Sequence, residues 1–132
     1  MCADRREPDT ALAKAIATAF GDLAGLKATF VAAGLAHFGS GWVWITSDPG
    51  GLLKVSATHD AHNPLALPGV VPVMVCDLWE HAYYLDHKND RSEFLVGWFD
   101  HLADWAFAGQ QYASAISGAT PWRHPLPAVR PA

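Results

Sequence analysis

The apolar run Val71-Pro72-Val73-Met74-Val75-Cys76 gives way at Asp77 to Asp77-Leu78-Trp79-Glu80-His81-Ala82-Tyr83-Tyr84-Leu85-Asp86, and this junction constrains the fold more than any other stretch. The run is short and rich in β-branched residues, which predicts a buried strand. At Asp77 the spacing becomes helical, so Asp77 can close the strand and act as N-cap or first-turn acid for the helical segment after it. His81 stands four residues on, and at a strand-to-helix corner the two side chains can converge on one point. A carboxylate and an imidazole so placed suit a transition metal. Glu80 would then partner the ligand ring and Trp79 would form an apolar wall. The same spacing also suits a capped helix with a satisfied histidine.

Asp77 to Asp86 resembles the C-terminal signature of the iron/manganese superoxide dismutase family, Asp-x-Trp-Glu-His followed by Ala-Tyr-Tyr, with Leu78 at the free position. Phe38-Gly39-Ser40-Gly41-Trp42-Val43-Trp44 is similar to that family's Phe-Gly-Ser-Gly-Trp-x-Trp segment. Downstream, Asn89-Asp90-Arg91 matches its Asn-x-Arg landmark, and Trp105 its Asn-Trp, with Asp104 in place of Asn. The resemblance runs from about Glu7 to about Gln111.

The resemblance implies an α+β fold, a three-stranded antiparallel sheet with helices before and after it in sequence. It implies superoxide as substrate, disproportionated to dioxygen and hydrogen peroxide at an iron or manganese site with Asp77 and His81 as ligands. Trp42 and Trp79 match residues that pack around that metal, where an apolar wall shifts its potential and the acidity of bound water. Glu80 matches a residue that bonds the ligand histidine of the partner's motif across a two-fold axis, so Glu80 and His81 would make the contact of a homodimer. Tyr84 matches a residue that bonds a histidine in the family's N-terminal helical hairpin.

That hairpin also supplies two further histidine ligands, and here no histidine precedes His37. The expectation is therefore half a metal site, completed by solvent, by a separate hairpin-supplying chain, or by His59 and His62. Those two lie in the polar loop His59-Asp60-Ala61-His62, which also reads as a solvent-exposed segment. With both imidazoles joined to Asp77 and His81, zinc would be accepted as well as iron or manganese. The other expectation is a catalytically inactive dismutase fold, kept as an interaction or structural module with a partial or absent metal site.

Elsewhere the chain reads plainly. Residues 1–8 are a polar lead-in, residues 9–117 the dismutase-like domain, and residues 118–132 a Pro-rich tail. Leu12, Ala15, Ile16, Ala19 and Phe20 repeat at helical spacing up to Gly21. Asp22 can cap a second helix whose stripe is Leu23, Leu26, Phe30, Ala33, Leu35 and Phe38, with Gly34 a weak point. Trp42, Trp44 and Ile45 lead into the turn signal Asp48-Pro49-Gly50-Gly51, and the chain returns over Leu52 to Thr58. Helices are expected from about 79 to 112, the later one capped by Asp90.

A content of 51% hydrophobic and 17% charged residues indicates a globular domain. A net charge of −4 argues against a nucleic-acid partner. No apolar run approaches the ~20 residues of a membrane span, and the polar opening residues make a cytoplasmic protein the default expectation. Two cysteines, Cys2 and Cys76, make no disulfide framework. His37, His87, His101 and His124 read as surface or core residues.

Overall fold

The computed structural model describes residues 7–123. The order is two helices, a three-stranded sheet, then three helices. Helix α1 spans Thr10–Phe20 and α2 spans Leu23–Ala36. Each begins on an aspartate whose carboxylate accepts from an otherwise orphaned backbone N–H: Asp9 from Leu12 at 2.9 Å and Asp22 from Gly25 at 2.7 Å. Strands β1 (Gly41–Ser47), β2 (Leu53–His59) and β3 (Val71–Asp77) form an antiparallel sheet in the order β2-β1-β3. The expected α+β architecture is present.

Alternation along the strands sets two unlike faces. Val43, Ile45, Leu53, Met74 and Cys76 are buried with Leu12, Ile16, Leu26 and Phe30 of the first two helices. Among the described residues no single helix is long and apolar enough to cross a membrane. The apolar stripes of α1 and α2 are spent instead on this core. Burial pushes the Cys76 thiol far above its ordinary range, and the Asp77 carboxylate beside it adds to the rise.

Two expectations for α2 are corrected. Leu35 and Phe38 do not extend the buried stripe; Phe38 is 95% exposed, because the helix ends at Ala36 and the chain turns away. Gly34 is no weak point either. A methyl group there would lie 2.7 Å from Leu95 Cδ1, so the missing side chain is what lets α2 approach the helix that carries Leu95.

The region after the sheet is more broken than helical spacing predicts. A 3₁₀ turn, Glu80–Ala82, precedes the four-residue α3 (Tyr84–His87). Helix α4 (Arg91–His101), home of Leu95, then starts on Asp90 as expected, and α5 (Trp105–Ser117) starts on Asp104. Asp104 explains the break, since its carboxylate accepts from Phe107 N–H and opens a new helix. Of the tail, residues 118–123 are described; the rest of it, with His124, lies outside the described residues, as does most of the lead-in.

Candidate metal centre

The three strands bring their functional ends together at one end of the sheet. Gly41 opens β1 opposite His59, the last residue of β2, and the next residue, Trp42, lies opposite Asp77, the last of β3. Leu78 N–H donates to Gly41 O at 2.9 Å, so the chain leaves β3 still tied to β1. The Gly41 position admits no side chain: a Cβ would strike the Thr58 carbonyl and lie 2.5 Å from His37 Nε2.

Asp77 does not cap an α-helix. Its Oδ1 accepts from Trp79 N–H at 2.8 Å, a local turn two residues long. That turn leaves Oδ2 free to meet His81 Nε2 at 2.8 Å, so the pair converges as the spacing requires, across a 3₁₀ turn. Asp77 is largely shielded and His81 is 70% exposed. Trp79 stacks on the His81 ring, 6.1 Å between centroids and 19° between planes, and its buried Nε1 has no hydrogen-bond partner among the described residues. Trp42 donates from Nε1 to Asp60 O at 2.9 Å and lies 6.4 Å from Trp44, so it walls the same end.

The loop histidines are not gathered with this pair. His59 turns toward Asp60, 3.4 Å from its Oδ2, and packs 5.5 Å from the His37 ring. His62 is exposed, and its backbone N–H closes a turn on His59 O at 3.0 Å. Glu80 and Tyr84 are exposed. Among the described residues no group of three His, Cys, Asp or Glu side chains is placed to hold a metal ion. Asp77 and His81 thus fit iron or manganese in kind, as a hard oxygen and a borderline nitrogen donor, but not in number.

Arg91 is the residue whose role sequence reasoning misses. Its guanidinium donates to His37 O at 2.6 Å, to Gly39 O at 2.8 Å and to Leu78 O at 3.3 Å, while Nε reaches Tyr83 Oη at 3.1 Å. It lies over the Tyr83 ring, which is buried and stacked on Phe94. The signal is present in Asn89-Asp90-Arg91, as a landmark without a mechanism.

A three-stranded antiparallel sheet between helical segments, carrying an Asp–His pair walled by indoles at one sheet end, defines an α+β protein with a partial ligand set. The chain belongs to the iron/manganese superoxide dismutase family: the family described as iron/manganese superoxide dismutases, C-terminal domain, matches residues 8–111. It is 42% identical to the iron superoxide dismutase of Rhodobacter capsulatus over 77% of this chain and 50% of that protein. Against manganese superoxide dismutase 1 of Leptolyngbya boryana the identity is 42%, over 82% of this chain and 44% of that protein. Against the iron enzyme of Coxiella burnetii it is 43%, over 82% and 55%. The chain spans about half the length of these relatives. Their names carry iron or manganese, and none carries zinc.

Proposed function

We propose that this chain supplies the carboxylate–imidazole half of an iron or manganese centre, and that the completed site disproportionates superoxide to dioxygen and hydrogen peroxide. The observation that carries this is the convergence of Asp77 Oδ2 and His81 Nε2 at 2.8 Å inside the family's own motif. The ion, when bound, supplies the one-electron chemistry. The chain's part is to fix two donors. Asp77 is held by Trp79 N–H and the His81 ring stacks on the Trp79 indole, so both donors are placed close together, and an ion would take the place of the proton they share.

The remaining ligands would come from a separate element that packs on this corner. The orphaned Trp79 Nε1 favours that over solvent alone, because a buried N–H ordinarily finds an acceptor. Phe38, in the segment that enters β1, and Leu85, within the motif, are 95% and 94% exposed and suit a covering surface of the same kind. A homodimer through Glu80 and His81, in a cytoplasmic setting, belongs to the same reading.

Metal analysis with a dismutase assay tests it, on the chain alone and with a histidine-bearing helical hairpin added in trans. The expected result is weak uptake of iron or manganese by the chain alone, rising to near one ion per chain, with activity, on addition of the hairpin. The competing reading, an inactive interaction module, draws on the absence of a third ligand among the described residues. It takes over if neither preparation holds iron or manganese.

A further inference from the structure

The turn that joins Asp77 to His81 is held from inside and from outside. Inside it, Trp79 N–H donates to Asp77 Oδ1 at 2.8 Å, Ala82 N–H to Trp79 O at 2.9 Å and Tyr83 N–H to Glu80 O at 3.1 Å. These bonds span two or three residues each, and a single 3₁₀ turn has little stability of its own. Outside it, both flanks meet one side chain. Leu78 O, directly after Asp77, accepts from Arg91 Nη2 at 3.3 Å. Tyr83, two residues after His81, accepts through Oη from Arg91 Nε at 3.1 Å.

Each partner of that guanidinium is itself fixed. Tyr83 is 4% exposed and its ring stacks on Phe94, 4.9 Å between centroids and 20° between planes. Gly39 O and His37 O, at 2.8 and 2.6 Å, belong to the segment that leads into β1, where Trp42 stands in register with Asp77. Arg91 opens α4, whose cap Asp90 accepts from Glu93 N–H at 2.9 Å and whose Phe94 and Leu95 are buried. The clamp is therefore mounted on a packed helix. Among the described residues no carboxylate pairs with Arg91, so its hydrogen bonds go to three main-chain carbonyls and a phenol, which fix direction rather than charge.

We propose, resting on the reading of Asp77 and His81 as half of a metal centre, that Arg91 is the positioning residue of that pair. By gripping Leu78 and Tyr83 together it sets the spacing at which Asp77 Oδ2 and His81 Nε2 meet, so the native chain's affinity for an ion depends on the planar fork. Donors already in place bind without first having to be ordered. With the fork gone, the backbone carrying His81 must be ordered when the ion arrives, which costs about tenfold in affinity. A lysine keeps the charge, but one ammonium cannot span the same four oxygens.

The test is titration of the full chain with Mn(II), free ion being followed by electron paramagnetic resonance, at a temperature where parent and variants give the same circular dichroism. Amide exchange of Trp79 relative to the β1 amides, in metal-free protein, is the second readout. Arg91→Lys should bind Mn(II) about tenfold more weakly and exchange Trp79 N–H faster relative to β1. Tyr83→Phe, which keeps the stacked ring and loses one acceptor, should weaken binding about threefold. Gly34→Ala, which loosens the core away from this corner, should change neither readout. Parental affinity and parental Trp79 exchange in folded Arg91→Lys would overturn the proposal, as would equal losses in Gly34→Ala. A parent chain that takes up no Mn(II) would count against the metal half-site instead, and Trp79 exchange alone would then decide the role of Arg91: faster in Arg91→Lys upholds the clamp on the pair, unchanged removes it.

Discussion

Arg91 Nη1 donates to the main-chain carbonyl of His37 at 2.6 Å, joining the first residue of α4 to the cap of α2 across 54 positions of sequence. The same guanidinium holds Gly39 O and Leu78 O, so the loop entering β1 and the turn leaving β3 share one clamp. Loss of the side chain would strand several carbonyls in a partly buried corner. Arg91→Ala should cost on the order of 2–4 kcal/mol in urea unfolding. Arg91→Lys should recover less than half of that, because one ammonium cannot reproduce a planar fork with three carbonyl contacts. A lysine variant as stable as the parent would reduce the clamp to simple charge.

The contact of α2 with α4 gives an independent test. Leu95 is fully buried, and its Cδ1 occupies the space a Gly34 side chain would need, so an added methyl has to push a packed side chain aside. Gly34→Ala should destabilise by about 1–3 kcal/mol, despite its better helix propensity. Combined with Leu95→Ala it should cost less than the two changes added separately, the mark of a shared space. Additive losses in a double-mutant cycle would count against the contact.

Gly34 also shows where the sequence stops being legible. Periodicity places α1, α2 and the strands because each buries one face, and the buried set there is what makes the pattern. It cannot say that a glycine inside α2 makes room for Leu95, a residue on another helix far along the chain. The Asp77–His81 pair is readable from a four-residue spacing, although the intervening backbone is 3₁₀ and Asp77 caps only a local turn. Asp104 and Arg91 are visible as motif positions. Arg91's partners lie on other elements, and Asp104 opens a new helix inside a stretch whose apolar spacing runs on unbroken, so neither role leaves a local trace. Phe38 falls wrongly into a stripe because helical spacing continues past Ala36 even though the helix does not.

Glu80 is exposed beside His81, and the proposed function has it reach the His81 of a second copy. Sedimentation at micromolar concentration should show a dimer, and Glu80→Ala should weaken it without changing the circular dichroism spectrum. A monomer in both proteins would remove the two-fold contact from the proposed function.

Cys76 sets an alkaline limit. Its folded thiol is held protonated by burial, whereas in the unfolded chain it ionises around its ordinary value of 9.0. The unfolded state therefore binds fewer protons above that value, and stability falls as pH rises, by up to about 1.4 kcal/mol per pH unit. Below it the group contributes no slope. Cys76→Ala should lower stability at neutral pH through the lost packing, yet flatten the decline over roughly the first one to two pH units above that value. An unchanged decline in the variant would place the alkaline sensitivity elsewhere.

Metal uptake separates the residues that converge from those that do not. Asp77 and His81 meet through short local turns, so their geometry survives whatever else covers the corner. Two donors leave about four coordination positions to water or to another chain, so the isolated chain should hold manganese or iron weakly. His81→Ala should abolish that uptake, and Asp77→Asn should reduce it by at least about tenfold, since a charged oxygen donor is lost. His59 faces Asp60 and His37, and His62 stands exposed in the loop, so His59→Ala and His62→Ala should leave uptake by the isolated chain within error. A measurable loss in either would mean that the loop closes on the ion in solution. Unchanged uptake in His81→Ala would instead leave the motif as scaffold, and the fold would then be serving recognition rather than redox chemistry.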